Sequence, residues 1–215
     1  ERSGGRLVLG LGTGAPVPGS LERLAAEVRA LRGLLAGERV EVDDGPRRLA
    51  LVPATPPPIW IAALGPRAAR LAGEVADGVL LNWCTPDRVA RARDEVRAGA
   101  EAAGRDPASV TIGVYVRACV EQEGAAASAA LADAAAQYDA YPAYRRQFAA
   151  MGLGGRTPTD LARALCLAGD AGAARAALGR FAEAGADLPV VYPVPAGADP
   201  AASIATTLRA LAPAP

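Results

Sequence analysis

The alternation of short apolar segments with amphipathic helical patterns is the feature of this sequence that most constrains its fold. Five apolar segments have the composition and length of strands, and a helical pattern follows each of them: residues 7–11, 59–62, 79–81, 110–120 and 188–192. Strands joined through helices run parallel, because each connection returns the chain to the same end of the sheet. The sequence is therefore predicted to fold as an α/β protein.

The predicted helices begin at residues that favour a helix start. Ser20 precedes an apolar pattern that continues at helical spacing to Leu35, and Pro66 suits the first turn of the next helix. Further helices are predicted from residue 86 to about 104, after Thr157, after Asp170 and from residue 200 to 211.

A helical segment at about 121–168 interrupts the alternation, and we interpret it as an insertion in one domain that covers residues 1–215. Its Ala-rich part carries aromatic residues about one helical turn apart: Tyr138, Tyr141, Tyr144 and Phe148. Pro142 is predicted to kink this helix, because proline removes a backbone hydrogen bond. Ordinary helix packing is enough to explain these aromatic residues.

Periodicity alone leaves two folds open: an open doubly wound sheet, or part of a (β/α)8 barrel, which takes about 250 residues when complete. In both folds, ligands bind at the carboxyl ends of the strands. This rule selects short loops as the candidate site, at residues 12–14, 63–65, 82–83, 117–118 and 192–193.

Charge and apolar content narrow the choice of partners. Hydrophobic residues make up 51% of the chain, charged residues make up 21%, and the formal net charge at pH 7 is zero. Such a chain can bury a core. It has no run of like charge suited to a nucleic-acid backbone and no apolar segment of membrane-spanning length. We therefore expect neither nucleic acid nor a membrane as a partner.

The cysteines and the lack of histidine argue against a metal site. Cys84, Cys119 and Cys166 lie far apart in the sequence, and the chain has no histidine. Zinc sites are built from clustered Cys and His residues, so no metal is predicted. The cysteines are predicted to be buried thiols of a cytoplasmic protein. All 23 basic residues are arginine, which we interpret as an actinobacterial-type, GC-rich composition.

The helix start at residues 65–68 is a candidate anion site. Gly65 and Pro66 leave backbone N–H groups free at the positive end of a helix dipole, and Arg67 or Arg70 could add charge. A helix start of this kind is more often empty than occupied, so the motif alone leaves both interpretations open. The glycines of residues 10–14 fit a tight turn equally well, since they lack the P-loop lysine and the dinucleotide-binding spacing.

Three stretches in order carry a resemblance to a known family. They are GRLVLGLGTG from residue 5, IWIAALGPRAARLAGEVADGVLLNWCTPD from residue 59, and AGRDPASVTIGVYVRACV from residue 103. Together they resemble the luciferase-like superfamily, in particular the branch that uses the deazaflavin coenzyme F420. The resemblance covers nearly the whole chain.

The resemblance implies a fold, a cofactor and site residues. Members of that branch are (β/α)8 TIM barrels of the bacterial luciferase-like type, and this chain would cover roughly strands 4 to 8. The implied contacts to F420, with its phosphate at the helix start, are Thr13, Gly14, Ala63, Leu64, Gly65, Arg67 and Ala68. Asn82 and Trp83 are implied to face the deazaflavin ring or an organic small-molecule substrate. Arg117 and Tyr192 are further predicted substrate contacts, and the Tyr-rich helix would lie near the barrel mouth or at a homodimer contact.

The catalytic acid or base stays unidentified in this interpretation. Ala15 stands where some relatives carry an acidic residue, and the first three strands of the barrel, with their catalytic positions, are predicted to be missing. Glu74, Asp77 and Cys84 are predicted to be structural. The prediction is an oxidoreductase that transfers a hydride between F420 and an organic substrate. The alternatives are an FMN-dependent luciferase-like monooxygenase and a truncated, non-catalytic barrel fragment.

Overall fold

Strands and helices alternate along most of the chain, in a computed structural model that describes residues 4–14, 17–120 and 124–213. The strands are Leu9–Leu11 (β1), Val40–Val42 (β2), Gly45–Arg47 (β3), Ile59–Ala63 (β4), Gly78–Asn82 (β5), Thr111–Val120 (β6), Leu167–Gly169 (β7) and Leu188–Pro193 (β8). The helices are Ser20–Leu35 (α1), Pro66–Val75 (α2), Pro86–Ala102 (α3), Gly124–Asp139 (α4), Pro142–Ala150 (α5), Pro158–Leu165 (α6), Ala171–Glu183 (α7) and Pro200–Leu211 (α8). Within these described ranges, no helix combines the length and the apolar content that a membrane span requires.

The chain divides into two compact units. The first holds residues 1–80 and 94–111, and the second holds residues 81–93 and 112–215. The division falls inside β5 and inside α3, so each unit is built from two separate stretches of sequence.

In the first unit, β1 and β4 form a parallel pair. Leu9 lies opposite Ile59 and Leu11 lies opposite Ile61, so the loops that follow the two strands start at the same edge. The α2 and α3 backbones pack closely: a Cβ built on Gly73 would lie 2.1 Å from the Val96 carbonyl oxygen. Asp77 has a structural role, as predicted. Its carboxylate accepts one hydrogen bond from the Ile59 backbone N–H and another from the Arg32 side chain, and so links β4 to α1.

In the second unit, β6 pairs in parallel with both β7 and β8. Its residues 113–118 lie opposite β8, and its residues 118–120 lie opposite β7. Most of β6 is buried on both faces, as expected for a strand covered by helices. Side chains of α4, α5 and α6 form a buried cluster with Trp83 that includes Leu131, Phe148 and Leu161.

Three local features differ from the sequence-based prediction. A β2–β3 hairpin lies in the connection before β4, and β7 lies between α6 and α7. Both were missed because no separate apolar segment marks them: the hairpin strands have the sequences VEV and GPR, and β7 follows α6 after a single residue. Pro142 does not kink one long helix but starts α5. Tyr141 before it is extended, with φ −86° and ψ 126°, which is the conformation that a following proline favours.

Two predictions fall partly or wholly outside the described residues. Ala15, the position of the acidic residue of some relatives, is one of them. The predicted insertion begins at residue 121, and the structure describes it only from residue 124.

Candidate functional site

The loops after β1 and β4 bring the predicted cofactor residues of the first unit to one edge. Gly12 closes β1, and a Cβ built on it would lie 3.6 Å from the Ala62 Cβ on β4. Gly14 has φ +63°, a conformation that glycine adopts without strain. The Thr13 hydroxyl donates to the Gly14 carbonyl at 3.3 Å. This loop therefore turns sharply beside the end of β4.

The N-terminus of α2 leaves backbone donors free. Pro66 occupies the first turn, and Gly65 before it has no side chain to cap the helix. Ala69 is the first residue of α2 whose N–H donates a helical hydrogen bond; it donates to the Gly65 carbonyl at 3.2 Å. In the described part of the chain, the N–H groups of Arg67 and Ala68 have no acceptor. Two donors at the positive end of a helix dipole are suited to an anion.

The space in front of this helix start is open. A Cβ built on Gly65 would meet no atom within 4 Å, and the Gly65 φ of −109° is accessible to any residue. The Arg67 side chain is 80% exposed and lies 3.9 Å from Glu22, so it is free to move. Leu64 is half-buried, and Ala63 is buried in the core. We call residues 63–68 the α2 seat.

The second unit contains a buried arginine surrounded by aromatic rings. The guanidinium carbon of Arg117 lies 4.7 Å from the ring centre of Trp83, 5.0 Å from that of Tyr138 and 4.8 Å from that of Tyr192. Contacts of this kind stabilise a cation when water is excluded. Arg117 is only 5% exposed. We call these four residues, together with Asn82, Tyr144 and Gln147, the Arg117 cluster.

Hydrogen bonds tie the Arg117 cluster to helices α4 and α5. Arg117 donates to the side-chain oxygen of Asn82 and, at 3.1 Å, to the hydroxyl of Tyr138 on α4. The Asn82 amide in turn donates to the hydroxyl of Tyr144 on α5 at 2.8 Å. The Asn82 side chain, at the end of β5, is therefore fixed between Arg117 on β6 and Tyr144 on α5.

Gln147 on α5 holds the turn at the end of β5. Its side-chain nitrogen donates to the carbonyls of Asn82 and Trp83, both at 2.8 Å. Trp83 has φ +50° and is the only non-glycine residue in the described ranges with a positive φ. A bulky residue in this conformation costs on the order of 1–3 kcal/mol, and such strain persists only where the surroundings impose it. The two bonds from Gln147 are part of those surroundings.

Burial changes the acidity of neighbouring groups. Burial raises the pKa of the Tyr144 phenol above its ordinary value, and the hydrogen bond from Asn82 partly opposes this effect. Burial raises the pKa of the Cys84 thiol to about 12, with a smaller opposing effect from Arg88. Cys84 is therefore a neutral thiol at pH 7, as its predicted structural role requires.

A cleft of about 410 Å³ opens beside the Arg117 cluster. Arg117, Tyr138 and Tyr192 form part of its wall, and residues 193–195, from the end of β8 onward, continue that wall. Residues of α4 complete it: Ala130, Asp133, Ala134 and Gln137. This volume is within the range of small-molecule sites.

The structure brings together the four residues predicted to contact substrate. Asn82, Trp83 and Tyr192 all lie around Arg117, although Trp83 is 1% exposed and only Tyr192, at 51%, reaches solvent freely. Sequence reasoning missed Gln147 and assigned Tyr138 to packing. The spacing of the tyrosines was visible in the sequence, but no local signal marked Gln147.

A comparison of the sequence with models of known protein families identifies the family of this chain. The sequence model described as luciferase-like monooxygenase matches residues 1–188. The chain belongs to the luciferase-like monooxygenase family. This confirms the family predicted from the three sequence stretches.

Curated relatives of this luciferase-like protein include F420-dependent enzymes. It is 37% identical over 144 residues to the 5,10-methylenetetrahydromethanopterin reductase of Methanolobus tindarius, a match that covers 60% of this chain and 44% of the relative. It is 35% identical over 151 residues to the F420-dependent hydroxymycolic acid dehydrogenase of Mycobacterium tuberculosis, covering 59% of this chain and 39% of the relative. The chain thus spans less than half the length of these relatives.

A solved structure shares the fold. An F420-dependent secondary alcohol dehydrogenase, in complex with an F420-acetone adduct, superimposes with a TM-score of 0.77 over 99% of this chain and 72% of its own. The sequence identity is 19%. At this identity the likeness shows the fold alone, and it confirms the predicted α/β fold of the luciferase-like type.

Proposed function

We propose that this luciferase-like protein is an oxidoreductase that transfers a hydride between coenzyme F420 and an organic small-molecule substrate. The observation that carries the proposal is the α2 seat, where two free N–H groups lie at a helix start beside an open space. The similarity to the F420-dependent hydroxymycolic acid dehydrogenase supports the choice of cofactor.

The residues of the first unit fit a phosphate-bearing cofactor. The N–H groups of Arg67 and Ala68 would donate to a phosphate, and the missing side chain of Gly65 leaves room for its oxygens. Ala63 and Leu64 connect the end of β4 to this helix start. Thr13 and Gly14 would contact the cofactor from the loop after β1, which pairs with β4. When bound, F420 would supply the hydride chemistry.

The residues of the second unit are proposed to contact the substrate. Arg117 and Tyr192 line the cleft, and Asn82 and Trp83 orient the guanidinium through a hydrogen bond and a ring contact. No catalytic acid or base is assigned to these residues. The cytoplasmic location and the homodimer inferred from the sequence stay predictions.

A fluorescence titration with F420 and FMN tests the proposal. The purified protein should quench or shift F420 fluorescence in a saturable way and bind FMN much more weakly. Tight binding of FMN without binding of F420 would overturn the choice of cofactor and favour a flavin-dependent monooxygenase. Binding of neither cofactor would contradict the proposed seat.

A further inference from the structure

Arg117 is a buried cation without a buried anion beside it. The residue is 5% exposed, and both of its hydrogen-bond partners, Asn82 and Tyr138, are neutral. No carboxylate of the described residues forms an ion pair with it. Buried charges in proteins are usually paired, because removing a charge from water is costly. The aromatic rings around the guanidinium offset only part of this cost.

Arg117 also has unused hydrogen-bonding capacity. A guanidinium carries five N–H donors in a planar fork, and only two donations from Arg117 have an acceptor in the part of the chain that the structure describes. The side chain is part of the wall of the 410 Å³ cleft. A ligand in this cleft could therefore supply both the missing acceptors and the missing negative charge.

We propose that the cleft binds an organic carboxylate, with the carboxylate on Arg117 and an apolar or aromatic body against Tyr192 and Val194. The inference rests on the proposed function, because it identifies this ligand with the substrate. It adds the chemical class of the substrate, which the proposed function leaves open.

The charges in the cleft favour a carboxylate over a phosphate. Arg117 is one positive charge, and Asp133 on the α4 wall is negative. A carboxylate carries a single charge that one guanidinium neutralises. A phosphate dianion would keep an excess negative charge close to Asp133, and like charges at short range repel. The remaining wall is mainly Ala, Pro, Val and Tyr, which suits an apolar ligand body.

The test compares two ligands of the same shape. Benzoate and benzamide differ in charge, and their binding to the full chain is measured by saturation-transfer difference NMR at constant ionic strength. Benzoate should bind about tenfold more tightly than benzamide, because only benzoate forms a charged bond with a guanidinium. Equal affinity would overturn the proposal, and so would tighter binding of inorganic phosphate in competition with benzoate.

Variants place the ligand in the cleft. Asp133→Asn, at an exposed position that should tolerate the change, is expected to tighten benzoate binding severalfold by removing a like charge. Arg117→Met should abolish the preference for benzoate, whereas Arg163→Met, which removes an exposed arginine from α6, should leave it unchanged. Benzoate binding that is insensitive to Asp133→Asn would contradict this location, even if Arg117→Met does not fold.

The two proposals can fail separately. Benzoate binding does not require F420. If the wild-type protein does not bind benzoate, the proposed substrate class is overturned, and the F420 titration still tests the cofactor independently. Conversely, a protein that binds benzoate but not F420 would keep the cleft assignment and lose the proposed cofactor.

Discussion

The α2 seat and the Arg117 cluster differ in what builds them. The anion-binding groups of the seat are backbone N–H groups from one continuous stretch of sequence, and the side chains at residues 65–68 are small or exposed. The Arg117 cluster consists of side chains from β5, β6, β8, α4 and α5, held by hydrogen bonds and ring contacts in a buried environment. One site depends on space and the other on specific side chains.

This difference predicts opposite responses to substitution. A backbone site should lose function when its space is filled but keep its fold, because Gly65 has no side chain and the Arg67 side chain is exposed, so neither supports the core. A buried side-chain network should lose stability when a member is removed, because its partners are left without contacts or hydrogen bonds.

The largest expected effect is that of Trp83→Ala. Trp83 is 1% exposed and its ring lies 4.9 Å from that of Tyr138 and 6.3 Å from that of Phe148. Removing a buried aromatic side chain costs about 3–5 kcal/mol. Urea unfolding followed by circular dichroism measures this loss.

Trp83→Gly should lose no more unfolding free energy than Trp83→Ala, since glycine relieves the positive φ. A loss below about 1 kcal/mol would contradict the central position of Trp83.

Gln147→Met should have the next largest effect. Methionine has a similar size but no N–H donor, so the buried carbonyls of Asn82 and Trp83 would each lose a bond. The expected loss of unfolding free energy is about 2 kcal/mol. Gln137→Met, an exposed change on α4, is the control and should alter stability little. Equal effects of the two variants would show that Gln147 does not hold the turn.

Stability should fall at alkaline pH because of two shielded thiols, Cys84, which is buried, and Cys166, which was predicted to be buried but is only partly so. Burial raises the pKa of Cys84 and of Cys166 to about 12, and Tyr144 is shifted in the same direction. The folded state therefore binds these protons more tightly than the unfolded state.

The stabilisation from these thiols is retained below the ordinary thiol pKa and is lost as pH rises, by on the order of 1 kcal/mol per thiol at pH 10. The double variant Cys84→Ala/Cys166→Ala should show a smaller slope of unfolding free energy against pH between 9 and 11. An unchanged slope would contradict the shielding of these two thiols from water.

The smallest expected effect on stability is that of Arg67→Ala in the seat. Its side chain is 80% exposed and its pairing with Glu22 is at 3.9 Å, so the unfolding free energy should change by less than about 0.5 kcal/mol. F420 affinity should fall only modestly, because the backbone N–H remains in place. A large loss of stability would show that the seat depends on side chains after all.

The same contrast explains how much could be predicted from the sequence. The helix start at Pro66, the cap at Asp170 and the parallel strands come from local signals, and the structure has them. The position of the α2 seat follows from such signals. The Arg117 cluster could be predicted only in part, because the rule for strand ends selects Asn82, Trp83, Arg117 and Tyr192 without pairing them.

The partners of these four residues come from the segment that sequence reasoning described least well. Pro142 separates α4 from α5, and this break lets Tyr138 and Tyr144 reach Arg117 and Asn82 from two different helices. Gln147 has no pattern of its own, since one glutamine on a helix is ordinarily exposed. Contacts between segments that are distant in sequence are not encoded in local periodicity.

The most direct test of the account is the F420 affinity of Gly65→Leu compared with Gly179→Leu. Both glycines have open space at the Cβ position and neither has a positive φ, so both variants should fold and melt like wild type. Only the leucine at position 65 would fill the α2 seat. Fluorescence titration should show F420 affinity at least about tenfold weaker for Gly65→Leu, by loss of contacts worth roughly 1.4 kcal/mol or more, and unchanged affinity for Gly179→Leu. Equal affinity in the two folded variants would contradict the claim that this helix start holds the cofactor.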